Sequence, residues 1–497
     1  MHLNKLLDEF LSNKLTRDVA IKDLKIDSRK VSFGDLFFAV NGATIKGKFF
    51  IPEAIKNGAV AVVLETSRKN HGKILYHGNI PIINIYNLKN LVSFIAAKFY
   101  NNPSRKMQVI GVTGTNGKTS CSHILARALE NLHKPTCIIG TLGNGTLDNL
   151  SLYGSQTTPD PIYIQKLLAE SYAKNITHAV VETSSHALMQ ARVAAVAYSG
   201  AILTNLASDH LDYHKTISNY ASAKYQLFTM PNLKFAIFNL DDAYGVRWAE
   251  EFKNTMVVCG FSLKQIDINF CAKFIYADNI SFTHDGISAN IISSWGDSKL
   301  DTKLLGQFNL ANILAVICVL CLSGFAFNDV LFAIKNIQPI EARMQAIKVE
   351  DKPLVVVDFA HTEDALKQAL QAVRLHTNSG KLFVVFGCGG SRDRTKRSLM
   401  GKVAENFADK IILTDDNLRQ EKSADIINDI LIGINDKNKV TVINNRVDAI
   451  KNAINIAGKD DVILVAGKGH EKYQIVGNEY LPYVGDAAII KNILQED

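Results

Sequence analysis

A glycine-rich segment carries the residues of this chain that are best suited to chemistry. Residues 111–119 read Gly-Val-Thr-Gly-Thr-Asn-Gly-Lys-Thr, after an apolar, β-branched run and before a helix-like stretch. Glycines let the backbone approach a phosphate, Lys118 would reach the terminal phosphates, and Thr119 would ligate Mg²⁺. The spacing departs from the strict phosphate-loop pattern, since Val112 stands where a glycine is usual. A tight turn with a solvated lysine is the alternative, but the Lys-Thr pair favours a nucleoside triphosphate site.

Polar residues that follow two later strand-like runs could complete this site. Glu182 ends an apolar run and would suit Mg²⁺, which prefers hard oxygen ligands together with nucleotide phosphates. Alternatively, Glu182 could cap a helix or lie on the surface. The presence of Lys118 and Thr119 in the predicted phosphate loop favours the role of metal ligand. His210 and His214 follow another strand-like run and are interpreted as polar lining of the same cleft rather than as zinc ligands, because no third ligand is evident.

Two basic residues have two interpretations each on local sequence alone. Lys224 is compatible with a site residue and with an exposed helical lysine. Arg343 is compatible with a guanidinium that reaches a γ-phosphate and with a surface arginine.

Three loops near the C-terminus combine arginine, glycine and acidic residues. They are residues 387–394, 415–419 and 467–471, and each follows an apolar, strand-like run. Arginine forks bind carboxylates at two points, and Glu471 could hold an ammonium group. A single loop of this composition usually has no binding role, but the three together suit a zwitterionic amino acid.

These residues need a scaffold of alternating strands and helices, and the sequence supplies that rhythm. Strand-then-helix units predict an α/β fold with parallel sheets, whose ligands bind beyond the carboxyl ends of the strands. Boundaries are expected near residues 90 and 340, and an antiparallel flap within 264–305. The predicted strands are 35–40, 59–64, 80–86, 179–182, 201–205, 234–239, 354–358, 382–386, 410–414 and 462–466, and the predicted helices 52–56, 91–100, 120–129, 309–322 and 364–374.

Composition restricts the class of protein. The net charge of +7 over 497 residues comes without a dense Lys/Arg block, so nucleic acid is not indicated, whereas anionic small substrates are. The N-terminus lacks the apolar core of a signal peptide, and the longest apolar run, 313–327, is too short and too interrupted to span a membrane. Seven scattered cysteines indicate reduced thiols. We therefore expect a cytoplasmic protein.

Taken together, these motifs resemble those of the Mur ligases over essentially the whole chain. The Thr-Gly-Thr-Asn-Gly-Lys-Thr segment is similar to that of the ATP-dependent peptide-ligase superfamily. The resemblance runs from Asp27-Ser-Arg29 and Gly34-Asp-Leu-Phe-Phe-Ala-Val40 to Gly467-Lys-Gly-His-Glu471. Five motifs narrow it to the members that add diaminopimelate: Thr157-Thr-Pro159, Glu182-Thr-Ser-Ser-His186, His210-Leu-Asp-Tyr-His214, Asp358-Phe-Ala-His361 and Phe386-Gly-Cys-Gly-Gly390.

The resemblance implies three domains: a UDP-binding domain at 1–90, a central ATP-binding ligase domain with a phosphate-loop-type parallel sheet at 91–340, and a Rossmann-like amino-acid-binding domain at 341–497. It implies an ATP- and Mg²⁺-dependent amide ligase of peptidoglycan synthesis. That ligase would add meso-diaminopimelate to UDP-MurNAc-L-Ala-D-Glu through an acyl phosphate. Its partners would be these small molecules, without nucleic acid, and the chain is expected to be a monomer.

The resemblance also assigns residues to each ligand. ATP would be bound by Gly114, Thr115, Asn116, Gly117, Lys118, Thr119, Asn309, Arg343 and Asp358. The UDP-MurNAc-dipeptide would be bound by Ser28, Thr157, Thr158, Ser184, Gln190 and Arg192. Diaminopimelate would be bound by Arg392, Asp416, Asn417, Arg419, Gly467 and Glu471. The metal would be held by Thr119, Glu182 and, if carbamylated, Lys224, and the catalytic residues would be Lys118, Arg343 and Lys224.

The chain departs from the family in one of these loops. Leu418 stands where diaminopimelate enzymes usually have proline, which bears on the rigidity of the loop, while Arg419 is retained and favours a substrate with a second carboxylate. Three other functions stay open: a lysine-adding sister ligase, an enzyme like folylpolyglutamate synthetase, and a nucleotide-switched interaction protein that binds ATP without ligating.

Overall fold

The structure, a computed structural model, describes residues 1–11, 15, 18–42, 44–154, 156–265, 271–377, 379–469 and 471–495. His470 of the motif at 467–471 lies outside these residues. The chain forms two compact units. The first comprises residues 1–261, 268–274 and 318–324, and the second comprises residues 262–267, 275–317 and 325–497.

The first unit alternates strands and helices from the N-terminus onward. Its elements are α1 (Leu3–Leu7), β1 (Leu24–Lys25), β2 (Leu36–Ala39), α2 (Ile51–Lys56), β3 (Ala61–Thr66), β4 (Ile74–His77), β5 (Ile80–Tyr86), α3 (Leu88–Phe99), β6 (Gln108–Thr113), α4 (Lys118–Asn131), β7 (Thr136–Gly140), β8 (Gly143–Thr146), β9 (Asn149–Ser151), α5 (Pro161–Ala173), β10 (His178–Glu182), α6 (Ser185–Met189), β11 (Gly200–Leu203), α7 (Leu211–His214), α8 (Ile217–Tyr225), β12 (Phe235–Asn239), α9 (Ala243–Phe252) and β13 (Val257–Ser262).

Two sheets organise this unit. The first has the strand order β1-β2-β3-β5-β4, with β4 antiparallel to β5 and the other pairs parallel. The second contains the run β13-β12-β11-β6-β10-β7, which is parallel throughout, followed by the antiparallel strands β8 and β9. Strands β6 and β10 are buried along almost their whole length, as expected for a parallel sheet that is covered on both faces.

The second unit repeats the alternation after an antiparallel segment. The elements that follow β13 along the chain are β14 (Lys273–Thr283), β15 (Gly286–Ser293), β16 (Ser298–Thr302), α10 (Gln307–Leu322), α11 (Phe327–Lys335), β17 (Gln345–Ile347), β18 (Leu354–Asp358), α12 (Glu363–His376), β19 (Leu382–Phe386), α13 (Thr395–Phe407), β20 (Lys410–Leu413), α14 (Ser423–Leu431), β21 (Val440–Val442), α15 (Arg446–Ile456), β22 (Val462–Ala466), β23 (Tyr473–Val476), β24 (Glu479–Pro482) and α16 (Asp486–Gln495). All of them belong to the second unit except for the first two residues of β14 and the last five of α10.

The strand order in the second unit explains where its loops meet. The sheet runs β17-β18-β22-β19-β20-β21 and is parallel except for β17, and its two faces bury separate apolar cores. Because β22, β19 and β20 are neighbours, the loops after these three strands leave the sheet at one edge. Strands β14 to β16 pair antiparallel, which confirms the predicted flap.

The α/β class with large parallel sheets is confirmed, and the proposed boundaries at residues 90 and 340 stay a prediction. Across the described ranges, no helix has both the length and the apolar character that a membrane crossing requires.

Candidate active site

The glycine-rich loop joins β6 to α4 in the first unit. Gly117 has φ 83° directly before the first residue of α4, and Gly114 has φ 149°. A Cβ on Gly114 would collide with the Thr204 hydroxyl, so the loop needs glycine there. The Thr115 N–H donates to the Asn205 carbonyl at 2.9 Å, which holds the loop in place. The loop therefore presents a fixed backbone and a helix N-terminus, the arrangement that receives a phosphate.

The Lys118 side chain folds back over this loop. Its ammonium donates to the carbonyl oxygens of Gly114 at 2.8 Å and Thr115 at 2.9 Å. These hydrogen bonds hold the Lys118 ammonium at the loop. Because the side chain is long and flexible, the ammonium can donate to a phosphate oxygen in place of a carbonyl oxygen.

Glu182 lies beside the loop because β10 pairs in parallel with β6, with Glu182 opposite Val112. Its carboxylate is fully buried and accepts hydrogen bonds from the hydroxyls of Thr119 at 2.9 Å and Thr141 at 3.0 Å. The backbone N–H of Thr141 donates to the other oxygen at 3.0 Å. A Cβ on Gly140 would collide with that oxygen, so the close approach of this strand requires glycine.

This set of oxygens fits a magnesium ion. A buried carboxylate next to a threonine hydroxyl supplies hard oxygen ligands, and within the described part of the chain no lysine or arginine lies within ion-pair distance of Glu182. Mg²⁺ is typically held by one or two protein oxygens together with substrate phosphates.

Lys224 lies on α8 and is buried, with 1% of its surface exposed. Its ammonium donates to the Gly114 carbonyl at 2.7 Å and lies 4.4 Å from the centre of the Tyr220 ring. No carboxylate lies within ion-pair distance of this nitrogen in the ranges that the structure describes. Burial, assisted by the charge of Lys118, lowers the pKa of Lys224 well below its ordinary value. The alternative of an exposed helical lysine is therefore wrong.

One cavity of about 310 Å³ gathers several of the predicted residues in the first unit. Among the predicted site residues, its lining includes Lys118, Thr157, Ser184, Gln190, Arg192 and Lys224; His186, His210 and Tyr220 also line it. His210 thus lines the cleft that contains Lys118, as predicted. His214 does not: it is buried, and its Nε2 lies 2.9 Å from the Ser185 hydroxyl.

A hydrogen-bond network connects four of the residues assigned to the UDP-MurNAc-dipeptide. The Thr158 hydroxyl lies 3.1 Å from that of Ser184, which caps α6. The Arg192 guanidinium donates to the Thr158 carbonyl at 2.7 Å and to the Gln190 side-chain oxygen at 3.0 Å. Ser28, in contrast, is absent from the cavity lining, and its hydroxyl donates to Glu53.

The remaining residues assigned to ATP belong to the second unit. The Asp358 carboxylate, at the end of β18, accepts from the backbone N–H groups of Met344 at 2.8 Å and Ala360 at 2.9 Å. Burial raises the pKa of Asp358, and the nearby Arg343 opposes that rise. The Arg343 guanidinium lies 5.4 Å from the ring centre of Phe359.

Asn309, near the start of α10, is buried, and its side-chain amide donates to the Leu305 carbonyl at 2.7 Å. The structure therefore brings Arg343 and Asp358 together, while Asn309 is anchored at the start of its own helix.

The residues assigned to diaminopimelate converge at one edge of the second unit's sheet. The Asn417 amide donates to Glu471 at 2.9 Å, and Arg419 donates to the Gly390 carbonyl at 3.0 Å. A Cβ on Gly389 would lie 2.9 Å from the Arg419 guanidinium and 3.8 Å from Cγ of Arg392, so both arginines flank this glycine.

Asp416 and Gly467 belong to the same edge. Gly467 has φ 113°, and a Cβ there would lie 2.9 Å from an Asp416 carboxylate oxygen. All six residues assigned to the amino acid are therefore neighbours across three loops.

Sequence reasoning missed residues that hold these loops. Arg397 on α13 is fully buried and pairs with Glu421 and Asp429, both at 2.8 Å, and Glu421 also accepts from the Ser391 N–H.

Two further residues were missed. Thr141 is a partner of Glu182, and its position after β7, next to β10, would indicate this once the strand order is known. Lys468 was also missed, although it lies within the motif at 467–471.

Comparison with known proteins gives matches along most of the chain. Residues 20–100 match the Mur ligase family, catalytic domain, residues 112–320 the Mur ligase middle domain, and residues 342–469 the Mur ligase, glutamate ligase domain. The chain is 42% identical over 483 residues to the UDP-N-acetylmuramoyl-L-alanyl-D-glutamate--2,6-diaminopimelate ligase of Coxiella burnetii (strain RSA 493 / Nine Mile phase I), covering 97% of each chain.

Solved structures agree with this architecture. A structure of a UDP-N-acetylmuramoyl-L-alanyl-D-glutamate--2,6-diaminopimelate ligase superposes with a TM-score of 0.72 at 32% identity, covering 96% of this chain and 95% of the other. The Thermotoga maritima MurF ligase in complex with ADP superposes with a TM-score of 0.64 at 17% identity, covering 97% and 99% of the two chains. The second likeness is one of fold alone.

Proposed function

This chain belongs to the Mur ligase family, and we propose that it joins meso-diaminopimelate to UDP-MurNAc-L-Ala-D-Glu in an ATP-dependent step of peptidoglycan synthesis. The observation that carries the proposal is the shared cavity of Lys118, Arg192 and Lys224, beside the buried pair of Thr119 and Glu182. That cavity combines a phosphate loop with polar groups that suit an anionic sugar peptide. The identity to a ligase of this name supports the choice of substrates.

The first step is a phosphoryl transfer. The γ-carboxylate of the D-glutamyl residue attacks the γ-phosphorus of ATP, the bond to ADP breaks, and an acyl phosphate forms. Since positioning and charge neutralisation dominate such transfers, Lys118 would balance the charge that develops on the phosphate oxygens, and Arg343 would assist. Thr119 and Glu182 would hold Mg²⁺, which neutralises phosphate charge when it is bound.

The second step forms the amide. The neutral amine of diaminopimelate attacks the acyl carbon, loses a proton, and expels inorganic phosphate from the tetrahedral intermediate. Asn417, Arg419 and Glu471 would hold the amino acid, and their mutual contacts support that role. Arg419 would bind the second carboxylate, which L-lysine lacks.

Lys224 would act as a carbamate. A neutral amine adds to the carbon of CO₂, forms an N–C bond and releases a proton, and only the neutral form is a nucleophile. The buried position of Lys224 and its lowered pKa favour that form. A carbamate at this place would turn a cation into an oxygen ligand for the metal.

Further residues would complete the two nucleotide sites. Ser28, Thr157, Thr158, Ser184, Gln190 and Arg192 would bind the UDP-MurNAc-dipeptide, and Asn309 and Asp358 would complete the ATP site. We further propose a monomer that works in the cytoplasm, where ATP is available.

A phosphate-release assay tests the function. Purified protein with ATP, Mg²⁺ and UDP-MurNAc-L-Ala-D-Glu should release phosphate with meso-diaminopimelate and far less with L-lysine or L-ornithine. Preference for L-lysine would identify the sister ligase instead. Absence of release with every amino acid would favour a protein that binds ATP without ligating.

A further inference from the structure

Lys468 is a buried cation within the group of residues assigned to the amino acid. It lies two residues after the end of β22, and its side chain is fully buried. Its ammonium donates to the Tyr473 carbonyl at 2.8 Å and to the Asn417 side-chain oxygen at 3.1 Å. Burying a charge costs free energy unless the charged group has hydrogen-bond partners, so these contacts stabilise the Lys468 ammonium in its buried position.

The contact with Asn417 fixes the orientation of the Asn417 amide. Its oxygen accepts from Lys468 and, at 2.9 Å, from the Ile475 N–H. Its nitrogen therefore faces Glu471 and donates to that carboxylate at 2.9 Å. The flipped amide would point its NH₂ group at an ammonium and at an N–H, so only one orientation is compatible with the surroundings.

The charges around Lys468 favour an amino group as ligand. The carboxylate of Glu471 lies 3.4 Å from the ammonium and that of Asp416 lies 3.8 Å from it. The Glu471 carboxylate is partly exposed while Lys468 is fully buried, so an amino group can approach that carboxylate.

We propose that Lys468 is a positioning residue for amino-acid binding: by orienting the Asn417 amide, it aims the Glu471 carboxylate at an ammonium group of the incoming amino acid. The inference rests on the proposed function and adds to it a residue that contacts no substrate itself. An alternative role is structural only, since the bond to the Tyr473 carbonyl anchors the hairpin of β23 and β24.

The test compares Lys468→Met, which keeps length and removes the charge, with Lys472→Met, which removes a charge from an exposed position in the same loop. We expect Lys468→Met to raise the KM for diaminopimelate by about ten- to a hundred-fold, the loss typical of one charge-assisted hydrogen bond. The KM for ATP should change by less than about twofold, and Lys472→Met should leave both unchanged.

A double-mutant cycle separates positioning from mere anchoring. If Lys468 acts through Asn417, Lys468→Met should add little to the KM for diaminopimelate once Asn417→Ala is present. Additive effects, or an equal rise of both KM values, would overturn the inference. If Lys468→Met fails to fold, Lys468→Arg takes its place and should raise the KM for diaminopimelate alone, because a larger planar cation misplaces the amide.

Phosphate release by the wild-type protein distinguishes a failure of the proposed function from a failure of this inference. Without diaminopimelate-dependent phosphate release, the proposed function fails and this inference fails with it. With release intact and no selective effect of Lys468→Met on the KM for diaminopimelate, only the inference fails.

Discussion

The ammonium of Lys224 donates a hydrogen bond of 2.7 Å to the Gly114 carbonyl, a carbonyl that also accepts from Lys118 at 2.8 Å. Two lysines thus share one acceptor at the phosphate loop. Their mutual repulsion adds to the effect of burial, which lowers the pKa of Lys224. We therefore expect Lys224, rather than Lys118, to be the lysine that reacts with CO₂, and Lys118 to be the one that contacts phosphate.

We expect turnover to depend on CO₂ through Lys224. Depleting bicarbonate from the buffer should lower kcat, and restoring it should recover kcat, because the neutral amine captures CO₂ reversibly. With ¹³C-labelled bicarbonate, the wild-type protein should show a carbamate carbon by NMR that Lys224→Ala lacks. The exposed Lys174→Ala serves as the control. An unchanged rate and no carbamate signal would contradict the prediction.

Lys118→Ala should abolish ligation while the fold persists. Its ammonium donates to two carbonyls of its own loop, so its loss should lower kcat by about 10²- to 10³-fold or more without unfolding the protein. Phosphate release measures the rate and circular dichroism the fold, with the exposed Lys134→Ala as the control. Near-normal turnover in Lys118→Ala would refute the role assigned to the phosphate loop.

Arg419→Ala should affect amino-acid binding selectively. Removing a guanidinium that would fork onto a carboxylate should raise the KM for diaminopimelate about tenfold or more, and leave that for ATP within about twofold. The KM of Arg419→Lys for diaminopimelate should lie between those of the wild type and Arg419→Ala, because an ammonium keeps the positive charge but cannot bind a carboxylate at two points. An equal response of both KM values would count against the carboxylate role.

Glu421→Gln should show pH-dependent destabilisation. The bonds from Arg397 and from the Ser391 N–H lower the pKa of Glu421 from 4.5 to about 2. A carboxyl whose pKa is lower in the folded state stabilises the fold above its unfolded pKa and loses that effect as the pH falls. Glu421→Gln should therefore unfold in less urea than wild type at about pH 7, with a smaller difference at about pH 3.

The control for this prediction is Glu479→Gln, at an exposed position on β24. It should match the wild type at both pH values. A difference for Glu421→Gln that is constant with pH would show that the Arg397 contact is not electrostatic in origin.

Parts of the fold were predictable because their signals are local. Strands β5, β18, β19 and β22 match the predicted bounds residue for residue, since β-branched or aromatic apolar residues make up most of each strand. Strands β8 and β9 gave no such signal, because Gly143–Thr146 and Asn149–Ser151 are mostly polar or glycine residues. They form by pairing, β8 with β7 and β9 with β8.

The same division holds for the site. The phosphate loop and the amino-acid loops were identifiable from short motifs, and the structure groups the members of each. The burial of Lys224, the contact of Lys468 with Asn417 and the ion pairs of Arg397 depend on residues distant in sequence, so no local pattern could indicate them. Lys468 stands between two glycines, and that pattern does not say which way its side chain points.

Leu418 leaves its loop well anchored. Its carbonyl accepts from the Glu421 N–H at 3.1 Å, and the next residue, Arg419, donates its N–H to the Ile475 carbonyl at 3.0 Å. The Leu418 side chain also packs against a buried core. The loop is therefore held by hydrogen bonds and packing without the proline usual at this position.

The neighbouring order of β22, β19 and β20 has a consequence for how such an enzyme can diversify. Three short loops at one sheet edge hold every residue assigned to the amino acid, above cores that the strands and helices of this sheet build for the most part. Substitutions of a few side chains in these loops can therefore change which amino acid is bound. The phosphate loop belongs to the other unit and needs no change.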